Sequence, residues 1–170
     1  MQDIEELSAL YDELNDYLET HINYPGWRKG IYPIRENAEQ GIQENSLFVA
    51  LEDDRIIGTV ILKHQPEPGY ELVDWHNRFD YEDIFVIYTF AVHPSFLRHG
   101  IGKKMIKFVL DYAAEMEMKA VRLDVYEKNV PAISLYENMG FEYVGTVDLG
   151  YSKYGLEYFK LYQKELSLNG

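Results

Sequence analysis

The sequence predicts a single-domain α/β protein built on a mixed central sheet flanked by helices. Three observations point there. Helix-period and strand-like segments interleave along the chain rather than segregating, which suits one sheet with helices packed on it. Ile84 to Val92 is a continuous apolar run of the kind a central strand shows. The length of 170 residues suits one domain, and such a chain buries roughly 70% of its unfolded surface without covalent staples.

The elements follow in order. Ile4, Leu7, Leu10, Tyr11, Leu14, Tyr17 and Leu18 recur at helical spacing with acids between them, which predicts an amphipathic helix over 3–20. Pro25 and Gly26 break the chain, and a second, shorter helix is expected over 34–44 after Pro33. Ser46–Leu51 and Ile56–Leu62 read as two strands joined in a hairpin at Asp53-Asp54-Arg55. Residues 64–83 carry Pro66, Pro68, Gly69 and scattered aromatics, and read as a long loop or flap of the kind that is functional in compact domains. After the central strand, Pro94 ends the run. A helix is expected from about 100 to 118, burying Ile101, Met105, Phe108, Val109, Tyr112 and Met116. Val121, Leu123 and Val125 alternate with polar residues as a strand. Asn129 is a good N-cap, Pro131 fits a first turn, and Gly140 is placed to end that helix. Phe141–Val147 and Leu156–Tyr162 read as the final strands. No internal repeat or second domain is visible, so residues 1–170 are read as one domain.

Composition excludes several chemistries. There is no cysteine, so disulfides, thiolate metal sites and a cysteine acyl-enzyme are ruled out. The histidines show no metal-ligand spacing, and no metal is expected. The net charge of -13 argues against nucleic acid and suits a soluble acidic surface whose field attracts cations such as amines. No apolar run reaches the ~20 residues that span a bilayer. Met1 is followed by Gln-Asp-Ile-Glu-Glu rather than a basic stretch and an apolar core. No membrane partner is expected, and a cytoplasmic location is.

One stretch departs from the acidic background. Arg98, His99, Lys103, Lys104 and Lys107 fall within ten residues, on Val92-His93-Pro94-Ser95-Phe96-Leu97-Arg98-His99-Gly100-Ile101-Gly102-Lys103 and the residues just after it. This turn lies after a strand and opens a helix. A helix N-terminus presents free backbone N–H groups and partial positive charge, which suits phosphate. Gly100 and Gly102 leave the backbone open to close approach. An ordinary strand-to-helix turn would use the same glycines. Neither G-x-x-x-x-G-K-[ST] nor G-x-G-x-x-G occurs, so a P-loop and a dinucleotide fingerprint are both unsupported.

The next helix adds Asn129-Val130-Pro131-Ala132-Ile133-Ser134-Leu135-Tyr136-Glu137-Asn138-Met139-Gly140-Phe141. Together the two segments resemble the GCN5-related N-acetyltransferase (GNAT) family. Its phosphate turn reads Arg/Gln-x-x-Gly-x-Gly/Ala, and its later helix reads Asn-x-x-Ala-x-x-Leu-Tyr-x-x-x-Gly-Phe. The second pattern matches at every fixed position, and the order of elements matches from residue 46 onward. Leu97 stands where the family has Arg or Gln. The family's opening strand has no evident counterpart before the first helix.

The resemblance implies an acyl-CoA N-acyltransferase fold and an acetyl-CoA-dependent N-acetyltransferase, with acetyl-CoA as co-substrate and an amine as acceptor. Phe90, Ala91 and Val92 would offer backbone groups to the pantetheine arm. Arg98, His99, Gly100, Ile101, Gly102 and Lys103 would meet the pyrophosphate, and Asn129 would touch the cofactor near its thiol end. Tyr136 matches the tyrosine that returns a proton to the departing thiolate. Asp124 lies where some members place an acidic base, with a surface ion pair to Arg122 as the competing reading and Tyr88 or Glu71 as other candidates. The acceptor pocket is sought among Tyr24, Trp27, Tyr32, Trp75, His76 and Tyr88, with Trp27, Tyr32, Trp75 and Tyr88 as the chosen set. The leading acceptor is a small-molecule or amino-acid-like amine. A protein N-terminus or lysine, or a non-catalytic acyl-CoA-binding role, are the alternatives. A homodimer is a further expectation from the resemblance.

Overall fold

The computed structural model describes residues 2–167. Among these residues, four helices and six strands follow in the order α1 Gln2–Thr20, α2 Arg35–Gln43, β1 Leu47–Glu52, β2 Arg55–Lys63, β3 Ile84–Val92, α3 Ile101–Glu115, β4 Ala120–Tyr126, α4 Val130–Asn138, β5 Glu142–Val147 and β6 Phe159–Glu165. The strands form one mixed sheet in the order β1-β2-β3-β4-β6-β5. β3 and β4 run parallel, as a helical crossover requires, while β1 with β2, β4 with β6, and β5 with β6 pair antiparallel. By compactness the chain divides into Met1–Asn23, Trp27–Leu62 and Tyr88–Met105 on one side, and Tyr24–Gly26, Lys63–Ile87 and Ile106–Gly170 on the other. The division follows no linker. β3 and α3 each pass from one unit into the other.

In the first unit, α1 keeps the face its periodicity predicts. Leu7, Leu10, Tyr11, Leu14 and Leu18 are buried, with Ile4 and Tyr17 packed at the edge of the same cluster. Each such side chain contributes roughly 1.5–3 kcal/mol of transfer free energy. The cluster includes Ala38 of α2, Ile56 of β2 and Ala91 of β3. The Glu6 carboxylate accepts the Ile56 N–H at 2.6 Å, which ties helix to sheet. The β1–β2 hairpin turns on Asp53 and Asp54, both at positive φ (49° and 63°). That is the backbone of a type I′ turn, whose twist matches the strands it joins.

Two boundaries and one buried face differ from the sequence expectation. α3 ends at Glu115 rather than near 118, because Glu117 adopts φ 59° and the Met118 N–H reaches back to Ala113 O. This is a Schellman-type stop made without glycine. The buried face of α3 is also rotated. Met105, Ile106, Val109 and Ala113 are buried, while Phe108 and Met116 are 44% and 49% exposed. β6 starts at Phe159 rather than Leu156. Its span is set by pairing with β4, from Ala120 opposite Glu165 to Tyr126 opposite Phe159, so polar residues are drawn into the strand.

The segment 64–83 is the long connection the sequence predicts, between β2 and β3. It contains two short 3-10 turns, Pro68–Leu72 and Tyr81–Asp83, and it buries Tyr70 and Trp75.

Candidate functional site

Two constellations gather the residues expected to carry chemistry, one in each unit. The first is the turn between β3 and α3. β3 ends at Val92, Pro94–Phe96 forms a 3-10 turn, and α3 begins at Ile101. Arg98 and Gly100 both sit in the left-handed region, at φ 65° and 77°. The Lys104 N–H is bonded to Gly100 O, which places the N–H groups of Ile101, Gly102 and Lys103 ahead of the first helical acceptors. Arg98, His99, Gly100 and Lys103 are exposed. A Cβ built on Gly100 would meet nothing within 4 Å, so the backbone here is open on its outer side.

The underside of the same turn is fastened. His93 is buried, and its Nδ1 accepts the Ser95 N–H at 3.1 Å. Its Nε2 faces the Glu13 carboxylate of α1, with an Arg55 nitrogen 3.2 Å away. Phe96 packs edge-on against both His93 and His99, with the Arg55 guanidinium over its ring. The start of α3 is set close to the sheet by Gly58 of β2, where a Cβ would lie 2.6 Å from Met105 Sδ.

Ahead of the turn, the parallel register of β3 with β4 covers Ile84–Ile87. Thr89, two residues on, holds φ 48° and is buried. A β-branched residue in the left-handed region is a strained backbone that the surroundings must impose. The constraint is visible: the Thr89 hydroxyl is 2.5 Å from the Tyr32 hydroxyl. Phe90, Ala91 and Val92 follow this kink, with Ala91 buried and the other two partly so.

Of the residues expected around an acceptor, Trp27 and Tyr32 come together edge-on at 5.5 Å, with Trp27 packed on the α1 cluster. Asn15 Nδ2 donates to Tyr32 O at 3.3 Å. Tyr88 is partly buried in β3. On α1, Tyr11 Oη and Asn15 Oδ1 are buried polar atoms with no hydrogen-bond partner. Unsatisfied atoms of this kind are uncommon in native interiors.

The second constellation centres on Asp124 of β4. Its Oδ2 accepts from the Tyr70 hydroxyl at 2.7 Å. Burial pushes the carboxyl up to about 6, with the Tyr70 bond pulling the other way and the Glu67 charge adding to the rise. Tyr136 of α4 is buried, with its ring edge-on to Phe141 at 5.8 Å. Burial first, and the Asp124 charge second, raise its hydroxyl far above the ordinary tyrosine range. Tyr136 therefore stays protonated at any physiological pH. α4 has the ends the sequence predicts. Asn129 Oδ1 accepts the Ala132 N–H at 3.4 Å, and Gly140 at φ 91° lets the Phe141 N–H return to Tyr136 O. Asn129 is thus a helix cap in the free protein.

The ion pair weighed for Asp124 and Arg122 does not form. Arg122 is 2% exposed and bonds to Gln163, Tyr81 and Asn77, with Trp75 stacked 4.1 Å from its guanidinium carbon. Trp75 is buried in that stack, and its Nε1 donates to Tyr70 O at 2.9 Å.

Two residues of the site carry little or no signal in the sequence. Tyr70 sits in an aperiodic segment, and only its flanking Pro68 and Gly69 hint at a shaped turn. Thr89 gives no signal at all, because a β-branched residue is the last expected at positive φ. Among the described residues, no group of three or more His, Asp or Glu is placed to hold a metal, and no helix is long and apolar enough to cross a membrane.

Comparison with known proteins bears on the family and the fold. The family model described as the acetyltransferase (GNAT) family matches residues 7–141. A spermine/spermidine N(1)-acetyltransferase of Bacillus subtilis is 34% identical over 65 residues, which is 38% of this chain and 43% of that protein. The chain thus spans less than half of that relative's length. A GNAT-family acetyltransferase from Streptococcus agalactiae superposes with a TM-score of 0.80 at 18% identity, covering 98% of this chain and 91% of the other. An acetyltransferase from Bacillus anthracis, solved in complex with acetyl coenzyme A, gives a TM-score of 0.54 at 23% identity, over 71% of this chain and 62% of that one. With a family model covering most of its length and a matching fold, this chain belongs to the acetyltransferase (GNAT) family.

Proposed function

We propose that the protein is an N-acetyltransferase that moves an acetyl group from acetyl-CoA to a primary amine of a small-molecule or amino-acid-like acceptor, by direct transfer. The observation that carries the reading is a carboxylate, Asp124, seated on the Tyr70 hydroxyl at 2.7 Å, with the buried Tyr136 phenol feeling its charge; burial raises the proton affinity of both. A carboxyl near 6 can take a proton around neutrality, and a buried phenol that never ionises there can give one.

The start of α3 fits the anionic end of the co-substrate. Its open N–H groups at Ile101, Gly102 and Lys103, the left-handed Arg98 and Gly100, and the exposed Lys103 suit a pyrophosphate. Phe90, Ala91 and Val92 would pair their backbone with the pantetheine arm, and Asn129 would approach its thiol end. When bound, acetyl-CoA supplies the acetyl group as a thioester. Asp124, directly or through water, takes a proton from the acceptor ammonium so that the neutral amine can attack the carbonyl carbon. A backbone N–H near Val92 stabilises the charge that builds on the carbonyl oxygen. As the new C–N bond forms and the C–S bond breaks, Tyr136 gives its hydroxyl proton to the departing sulfur, and the second proton of the attacking nitrogen passes, directly or through water, to the Tyr136 phenolate, leaving a neutral amide, the free thiol and a restored tyrosine. Trp27, Tyr32, Trp75 and Tyr88 are the proposed acceptor-side aromatics.

A cationic acceptor suits the net charge of -13, and the relative acting on spermine and spermidine makes polyamines the first acceptors to try. The test mixes the full chain with acetyl-CoA and a panel of primary amines, with free thiol and N-acetylated product both recorded. Thiol release matched by acetylated small amine is expected. Release only with peptides bearing a free N-terminus or lysine would move the acceptor to proteins. Coenzyme A binding with no release from any amine would overturn catalysis.

A further inference from the structure

The segment between β2 and β3 is attached to the sheet at one end of a continuous relay. Arg122 Nε donates to Gln163 Oε1 at 2.7 Å, one terminal nitrogen to Tyr81 Oη at 2.9 Å and the other to Asn77 Oδ1 at 2.7 Å. Asn77 and Tyr81 belong to the segment, and so does Trp75, whose ring lies 4.1 Å from the Arg122 guanidinium carbon. The Trp75 carbonyl accepts from Gln163 Nε2 at 3.2 Å. Trp75 Nε1 then fixes the Tyr70 carbonyl, and the Tyr70 hydroxyl reaches Asp124. Tyr70 is fully buried.

A buried guanidinium with three hydrogen-bonded partners and a stacked indole is a costly device for holding a loop, because its desolvation must be offset by all of those contacts together. What the device does achieve is a fixed position for one hydroxyl. We propose that this segment is an anchored strap that seats the Tyr70 hydroxyl on the Asp124 carboxylate, with Arg122 as its clamp, so that Tyr70 and Arg122 are positioning residues for the proton transfer at Asp124. The proposal rests on the base role of Asp124.

Around Asp124, the titratable groups are Tyr70 and Glu67 from the strap and Tyr136 from α4, while its register partner on β6 is Leu161. Tyr70 is the one that stabilises the charged form. Removing its hydroxyl therefore raises the proton affinity of Asp124, and a base that must be ionised then works only at higher pH.

The test uses Tyr70→Phe and Arg122→Lys in the full chain, with Trp75→Phe as the milder variant should Arg122→Lys not fold. The Asp124 carboxyl is followed by carbon NMR against pH, assigned with Asp124→Asn, and the acid limb of kcat/KM against pH is recorded beside it. Tyr70→Phe is expected to move both upward by about one unit, the size of a hydrogen bond to a charged group. Arg122→Lys or Trp75→Phe is expected to move them in the same direction. An Asp124 titration unchanged in Tyr70→Phe overturns the strap. A moved titration with an unmoved acid limb overturns the base role of Asp124 instead, which separates the two failures.

Discussion

The Tyr70 hydroxyl donates to Asp124 Oδ2 at 2.7 Å, and yet the carboxyl is held near 6, above its ordinary value. Desolvation outweighs the hydrogen bond. The folded state therefore binds this proton more tightly than the unfolded chain does. Its contribution to stability is fully present below the unfolded value of about 4 and is lost as pH rises through 6. Asp124→Asn keeps an acceptor for Tyr70 and removes the charge. The variant is expected to be more stable than the parent at pH 8, by up to about 3 kcal/mol, with the gain vanishing near pH 4. Thermal unfolding across pH reads this. A difference that stays constant across the range would show that Asp124 does not titrate there.

At the turn, charge and backbone can be tested apart. Arg98→Glu is expected to weaken coenzyme A binding about fivefold, the scale of a charge placed at a helix N-terminus. Unfolding of the free protein should barely change, since Arg98 is exposed. Gly100→Ala meets no neighbouring atom, so its cost of about 1 kcal/mol comes from φ 77° alone. Calorimetric titration with coenzyme A and denaturant unfolding measure the two effects. An Arg98→Glu affinity equal to the parent's would leave binding to backbone groups only.

Close packing beneath the turn makes a third prediction. A Cβ at Gly58 would lie 2.6 Å from Met105 Sδ and 3.2 Å from Ala91 O. Gly58→Ala is expected to cost about 1–2 kcal/mol by overpacking. Shortening the opposing side chain in Gly58→Ala/Met105→Ala should give a total loss smaller than the two single losses summed. Simple additivity in denaturant unfolding would show that the two residues do not meet.

How much of this is legible in the sequence differs by element. The α1 face can be read because its apolar residues keep one period and its buried apolar positions lie on it, the buried Asn15 being the one such residue outside the pattern among those described. Both ends of α4 can be read because Asn129 and Gly140 act through local backbone geometry. The α3 face differs from its periodicity because an apolar residue at helical spacing is not thereby buried. Phe108 and Met116 stay at the surface while the small Ala113 takes the interior. β6 starts later than its apolar residues suggest because a strand's ends follow its partner's hydrogen bonds, which side-chain polarity does not report. Within the site, Gly100 and Tyr136 are visible through motif spacing. The seat of Asp124 is not, since Tyr70 reaches it across 54 residues of chain and through contacts that only the folded strap creates.

Separation of binding from chemistry is tested most directly by Tyr136→Phe, which removes one buried hydroxyl and little else. Coenzyme A affinity by calorimetry and thiol release with a responsive amine are to be measured on the same preparation. Unchanged affinity with turnover lowered at least about tenfold is expected, within the range of general acid catalysis. Turnover equal to the parent's would contradict the proton-donor role of Tyr136.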